Sequence, residues 1–321
     1  MKAFLSERYG PPETLRLVEV AKPAPKANDV LVRVLAVSVN PADWHCLRGA
    51  PIFSRATLGL LRPKHPILGG DIAGRVEAIG GGVTRFAPGD AVYANLLDHG
   101  FGARTSTGTA TYSAKPATLS FEEAAAVPMA GVTALQGLRH HGAPRAGQRV
   151  LVNGASGGVG HFAVQLAKAY GAEVTGVTST RNVDLVRALG ADRVIDYTRE
   201  DFTRAGRAWD RILDTIGNRS VSDLRRALAP GGTCAVVGYT SLGRLLEVSL
   251  RGGQQIRQVT AHATAEDLER LGELIEAGKL RPAIDRRYPF GALPEALRYL
   301  EAGHARGKVV VGEVSEREGA A

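Results

Sequence analysis

The chain has 321 residues, 44% of them apolar and 22% charged, with a net charge of +8. That length suits two domains, and the balance is that of a soluble globular protein rather than a disordered or fibrous one. The basic residues are scattered and aromatics make up only 6%, which argues for a generally basic surface and against a nucleic-acid footprint. Met1–Glu13 has no long apolar core, so no signal peptide is expected. No run of about 18 apolar residues appears, so no membrane insertion is expected either. Cys46 and Cys234 are far apart and form no C-x-x-C pair, which fits a reducing, cytoplasmic location.

The first part, to residue 118, is rich in short extended runs. VLVRVLAVSVN (30–40), GRVEAIG (74–80) and GDAVYANL (89–96) are bounded by turn residues and read as strands. Ser120 and Glu123 form a capping box that opens a helical region over 121–141, interrupted at Pro128. Strands and helices then alternate. Strands are expected at 149–153, 173–177, 193–197, 211–215, 233–238 and 256–261, with helices at 158–170, 181–189, 199–205 and 218–228. Short apolar strands separated by helices imply a parallel sheet covered on both faces. The tail adds helices at 264–277 and 293–303 and a last strand at 307–314. The expected organisation is therefore a mostly β first domain over 1–118, a doubly wound parallel domain over 119–261, and a return to the first domain over 262–321.

The most informative stretch is VLVNGASGGVGHFAVQLA (150–167). A strand runs into Ala155-Ser-Gly157-Gly-Val-Gly160, a dinucleotide-binding turn with Ala in the first position. Ala155 is expected where the chain turns out of the strand. Gly157 leaves room for a pyrophosphate, and Gly160 lets helix and strand pack closely. The N–H groups near Gly158 and Val159, with the helix dipole, attract phosphate. Where NAD-binding folds usually carry a carboxylate after the second strand, this chain has Thr178-Ser179-Thr180-Arg181. Hydroxyls and a guanidinium there favour NADPH over NADH. Thr180 as a helix cap and Arg181 in solvent is the alternative.

Several segments together resemble the medium-chain dehydrogenase/reductase family, in its zinc-free quinone oxidoreductase branch. They are SVNPADWHCLRG (38–49), HPILGGDIAGRVEAIG (65–80), FAPGDAVYA (86–94), AAAVPMAGVTALQGL (124–138), GASGGVG (154–160), ALGADRVIDY (188–197) and HARGKVVV (304–311). The resemblance implies an α/β protein: a Rossmann doubly wound parallel sheet plus a chaperonin-10-like mostly β catalytic domain, often a homodimer joined at Rossmann sheet edges. It implies cofactor contacts from Ser156, Gly158 and Val159 to the phosphates, from Ser179, Arg181 and Tyr197 to a 2′-phosphate, and from Thr133 near the nicotinamide. Asp214, Gly238 and Tyr239 lie at carboxyl ends of later strands, where such sheets bind ligands. Lys308 either reaches the cofactor or is a solvated lysine beside a strand.

Zinc-dependent relatives carry Cys where this chain has Asn40 and G-H-E where it has Gly69-Gly70-Asp71. Residues 93–118 contain no cysteine, so no metal is expected, although Cys46, His65 and Asp71 would supply donor atoms. The resemblance implies hydride transfer from NADPH to a quinone or α,β-unsaturated carbonyl. Asn40 is a candidate donor to the acceptor oxygen or a turn residue before Pro41. His45 is a candidate substrate contact or proton shuttle, or is simply packed. Tyr93 is a candidate lining residue. The loop PIFSRATLGLLRP (51–63) lines an apolar pocket or packs on the surface. An NADPH-binding sensor without turnover and a zinc alcohol dehydrogenase stand as alternatives.

Overall fold

The computed structural model describes residues 1–67, 69–96, 111–312 and the backbone of 106–108. In chain order the elements of the first third are β1 (Lys2–Leu5), β2 (Arg16–Glu19), β3 (Asp29–Val39), α1 (Pro41–Arg48), α2 (Arg55–Leu58), β4 (Asp71–Ile79), β5 (Ala91–Asn95), β6 (Ser106–Gly108), β7 (Tyr112–Ala114) and α3 (Phe121–Ala125). Next come α4 (Pro128–Arg139), β8 (Arg149–Asn153), α5 (Gly160–Ala169), β9 (Glu173–Thr178), α6 (Val183–Ala188), β10 (Arg193–Asp196), β11 (Trp209–Asp214), α7 (Val221–Ala227), β12 (Leu228–Val236), α8 (Leu242–Arg251) and β13 (Ile256–Gln258). The chain closes with α9 (Ala265–Glu276), β14 (Ile284–Pro289), α10 (Leu293–Glu301) and β15 (Lys308–Gly312).

The contacts divide the chain into two compact units. One comprises Met1–Met129, Ala263–Glu276 and the chain from Ile284 onward; the other comprises Ala130–His262 and Ala277–Ala283. The sequence texture changes at 118, whereas the contacts change at Met129. The capping-box helix α3 accounts for the difference, because it packs on β3 and β4 of the first unit.

The first unit is built on a sheet with the order β14-β15-β3-β4-β5-β7, and β6 also pairs with β3. β15 returns from the far end of the chain to lie antiparallel to β3, pairing Val309 with Val39 and Val311 with Val37. Valines of β3 and β15 form its core with Ile72, Leu47 and Tyr112. The second unit has a six-stranded parallel sheet, β10-β9-β8-β11-β12-β13. The order reverses between β8 and β11, which makes their carboxyl ends the switch point of a doubly wound sheet. Its core joins Leu151, Val177, Ile195 and Ile212 to Phe202, Trp209 and Leu224.

The expected elements appear with shifted ends. The helix after the glycine turn starts at Gly160, not 158, so Gly158 and Val159 precede it. The region 199–205 makes only a 3-10 turn at Phe202–Arg204. β12 starts at Leu228, through a segment that reads as a turn, and its pairing with β11 shifts register after Trp209. The last strand ends at Gly312 among the described residues; 313–314 lie outside them.

Candidate functional site

The carboxyl edge of the parallel sheet gathers most of the residues singled out from the sequence. The turn after β8 is set by Gly154, not Ala155. Gly154 has a φ of +83°, and a Cβ there would meet the Thr215 hydroxyl at 2.4 Å. Ala155 is buried, its N–H bonded to the Val177 carbonyl. A Cβ on Gly160 would stand 2.0 Å from the Gly154 carbonyl oxygen, so helix and strand approach as closely as the sequence implied. Gly157 differs: a Cβ there would meet only the Gly154 oxygen, at 3.3 Å. The protein leaves that space to something else. The N–H groups of Gly158 and Val159 have no partner among the described residues, and they sit at the positive end of α5.

Ser156 is held by two neighbours. Its Oγ accepts from Thr178 Oγ1 at 2.8 Å and from Asn182 Nδ2 at 3.0 Å. Both lone pairs are thereby occupied, so the Ser156 proton is the group left to donate. Thr178 does not present its own hydroxyl, as the sequence suggested; it is buried and positions Ser156. Asn182, which the sequence did not single out, spans Ser156 and Ser179, the latter at 3.4 Å. Ser179 is half-buried. Arg181 is exposed with no partner among the described residues, and Tyr197 at the end of β10 is exposed too. One carboxylate shares this corner: Asp196 accepts from Thr180 at 2.5 Å and from Thr198, and it pairs with Arg199.

At the switch point, Asp214 closes β11. Its Oδ1 accepts from Asn153 Nδ2 at 2.8 Å and from the N–H groups of Ile216 and Gly217. Its Oδ2 is buried without a partner among the described residues. Burial raises the Asp214 pKa against those three donors. Gly238 packs against the next loop, where a Cβ would meet the Thr215 carbonyl oxygen at 2.3 Å. Tyr239 beside it is exposed. Thr133 lies on α4, nearly buried.

The remaining candidates belong to a different kind of place, the interior of the first unit. Asp71 Oδ2 accepts from Ser38 at 3.0 Å and Asn40 Nδ2 at 2.9 Å, and Oδ1 accepts from Asn95 at 2.7 Å and the Met129 N–H at 2.9 Å. Lys308 is neither solvated nor reaching outward. It is buried, donates to Asn40 Oδ1 and stands 3.5 Å from Asp71 Oδ2. Burial lowers the Lys308 pKa, and Asp71 and Asp43 oppose the fall. Asp43 at the start of α1 accepts the Asn40 N–H at 2.7 Å. Burial pushes its pKa up to about 7, with the Asn40 hydrogen bond opposing and Asp71 adding to the rise. Asn40 is thus held at both ends of its amide, which makes it a support of this cluster. Tyr93 is buried, and its hydroxyl donates to the Leu268 carbonyl at 2.5 Å. His45 stacks on Trp44 at 3.7 Å, and its Nδ1 lies 3.0 Å from the Ala50 carbonyl. Burial lowers its pKa, with the Ala50 carbonyl and Glu301 opposing the fall.

A zinc ion is a poor fit to these residues. Among the described residues no three His, Cys, Asp or Glu side chains come together as ligands, so Cys46, His65 and Asp71 make no set. Both Asp71 oxygens are already taken, and a lysine ammonium supplies the local positive charge. Burial also pushes the Cys46 thiol up to about 12, away from the thiolate a metal needs. No helix among the described residues is long and apolar enough to cross a membrane.

Comparison with known proteins agrees with both units. Residues 26–177 match the family model for the alcohol dehydrogenase GroES-like domain, and residues 189–311 match the one described as zinc-binding dehydrogenase. The chain is 33% identical to the mouse NAD(P)H oxidoreductase RTN4IP1, mitochondrial, over 98% of its own length and 89% of the relative's. It is 34% identical to the NADPH-dependent alkenal/one oxidoreductase, chloroplastic, of Arabidopsis thaliana, over 97% of this chain and 79% of that one. The solved quinone oxidoreductase from Coxiella burnetii superposes with a TM-score of 0.86 at 32% identity, covering 98% of this chain and 99% of that chain. The chain belongs to the medium-chain dehydrogenase/reductase superfamily, in its zinc-free quinone oxidoreductase branch.

Proposed function

We propose that this protein is an NADPH-dependent oxidoreductase that transfers hydride to a quinone or an α,β-unsaturated carbonyl without a metal. The observation that carries the cofactor half is the set of unspent donors at one sheet edge: the Gly158 and Val159 N–H groups, the oriented Ser156 hydroxyl and the Arg181 guanidinium. The acceptor half is supported by relatives named for quinones and alkenals.

In this reading Gly158, Val159 and Ser156 hold the pyrophosphate, with Gly157 leaving it room. Ser179, Arg181 and Tyr197 take the 2′-phosphate, and Arg199 offsets the nearby Asp196 charge. Thr133, Asp214, Gly238 and Tyr239 serve the nicotinamide half. Bound NADPH supplies the hydride. Conjugation in the acceptor spreads the developing negative charge, so the protein mainly positions the reactants and excludes water. The proton comes from water or a nearby hydroxyl. Asn40, Tyr93 and Lys308 act by holding the first unit together.

A homodimer belongs to the same proposal. It is supported by the open edge strand β13 and by the exposed leucines 242, 246 and 250 of α8. A cytoplasmic location is supported by the two free cysteines, one in each unit. The test is to mix the protein with NADPH and a panel of quinones, enals and simple ketones and to follow loss of the reduced-nicotinamide absorbance. Turnover confined to quinones or enals is the expected result. Turnover of simple ketones alone, or dependence on added zinc, would overturn it.

A further inference from the structure

The loop 51–63 has the opposite character to the rest of its unit. Ile52 is 77% exposed, Phe53 49%, Leu60 74% and Leu61 87%. Single exposed apolar residues are ordinary, but four large ones within ten residues of one loop need a partner. The loop is not simply loose. Tyr9 donates to the Gly59 carbonyl at 2.5 Å, and Arg55 lies over the Tyr9 ring at 4.4 Å while donating to the Gly49 carbonyl at 3.0 Å. The Lys64 N–H closes the far side on the Leu58 carbonyl at 2.8 Å. The backbone is pinned, and the apolar side chains are displayed outward from it.

Charge says what covers them. Between Asp43 and Asp71 the chain has no carboxylate, while it carries Arg48, Arg55, Arg62 and Lys64. Glu301 neutralises Arg48, and Arg55 is bonded to backbone. Arg62 and Lys64 are exposed and take no side-chain partner among the described residues. Apolar tips with two free cations beside Leu60 and Leu61 match the boundary of an anionic bilayer, where acyl chains lie beneath negative headgroups. A second copy of this chain as the occupant is an outcome of the test.

We propose that loop 51–63 docks this protein on the surface of an anionic lipid bilayer, with Ile52, Phe53, Leu60 and Leu61 entering the headgroup boundary and Arg62 and Lys64 facing the headgroups. This is surface attachment by side chains, with no segment crossing the bilayer. It stands apart from the NADPH reading, because attachment is read without turnover.

The experiment is co-sedimentation of the full chain with vesicles of phosphatidylcholine, with and without about one-third phosphatidylglycerol. Attachment to the anionic vesicles, weakened by salt and much weaker on neutral ones, is expected. Leu60→Ser/Leu61→Ser should lower partitioning by about tenfold or more, since both side chains lose their apolar contact. Arg62→Gln should lower it by about fivefold. All three positions altered are exposed, so folding is checked simply by an unchanged melting temperature. Equal binding by wild type and the double serine variant would overturn the proposal, as would no binding to anionic vesicles. A double variant that loses reduction of a water-soluble quinone without vesicles would show a substrate pocket instead. One that dissociates from a dimer in light scattering would show an interface between copies.

Discussion

The two polar clusters of this molecule invite comparison. Around Asp71, both carboxylate oxygens are answered: Ser38, Asn40, Asn95, the Met129 N–H and Lys308 converge on one buried carboxylate. At the carboxyl edge of the parallel sheet, hydrogen bonds among Thr178, Asn182 and Ser156 orient a donor, beside two N–H groups and a guanidinium that have no partner among the described residues. The first pattern stabilises a fold, because a buried charge is tolerated only when paired. The second leaves its donors to solvent, where an anion can take them up. Candidate residues are thus sorted by what they leave unsatisfied, and not by how polar they are.

The sharpest way to break this contrast is a glycine in the second cluster. Gly157→Val should fold, because its Cβ has only the Gly154 oxygen at 3.3 Å to accommodate, yet lose NADPH binding by more than about a hundredfold. Fluorescence titration with a melting curve reads both, and normal binding by the folded variant would show that the phosphates lie elsewhere. In the first cluster, Lys308→Met should cost about 3–5 kcal/mol of stability by leaving Asp71 without its cation; denaturant unfolding checks it. A loss of less than about 1 kcal/mol would contradict the buried pair.

Asp43 sharpens the same picture through pH. Its folded pKa, about 7, lies above the ordinary carboxylate value, so the native state holds a proton that the unfolded chain has released. Stability should therefore fall as pH rises from about 4 through 7, by on the order of 1–3 kcal/mol, and Asp43→Asn should flatten that slope. Melting curves across that range decide it; an unchanged slope in the variant would assign the dependence to another group. The smallest expected effect is that of Ser156→Ala, which removes one oriented donor and should weaken NADPH about fivefold with little change in stability.

What the sequence revealed and what it hid follow from distance along the chain. The parallel sheet was legible because its apolar strands and intervening helices are local patterns, and so was the glycine turn, whose strand, small residues and helix are contiguous. The capping box at Ser120 was legible for the same reason, since its two hydrogen bonds span three residues. The burial of Lys308 is hidden because a lysine before three valines looks like the solvated end of a strand. Its partners Asn40 and Asp71 lie 268 and 237 positions away. The Tyr93 acceptor is hidden likewise, since Leu268 lies on a helix of the tail. Thr178 and Asn182 show a finer limit. A hydroxyl at a strand end is visible in sequence, but whether it faces a ligand or a neighbouring serine is set by two loops meeting. Gly154 was passed over because the fingerprint directs attention one position later.

The central claim is that Arg181 and its neighbours read a 2′-phosphate at the edge of the parallel sheet. The most direct measurement is a titration of wild type and Arg181→Ala with NADPH and with NADH. The account predicts that wild type favours NADPH and that the variant loses about ten- to a hundredfold in NADPH affinity while NADH binding is nearly unchanged. Equal losses for both cofactors, or a wild type that favours NADH, would contradict it.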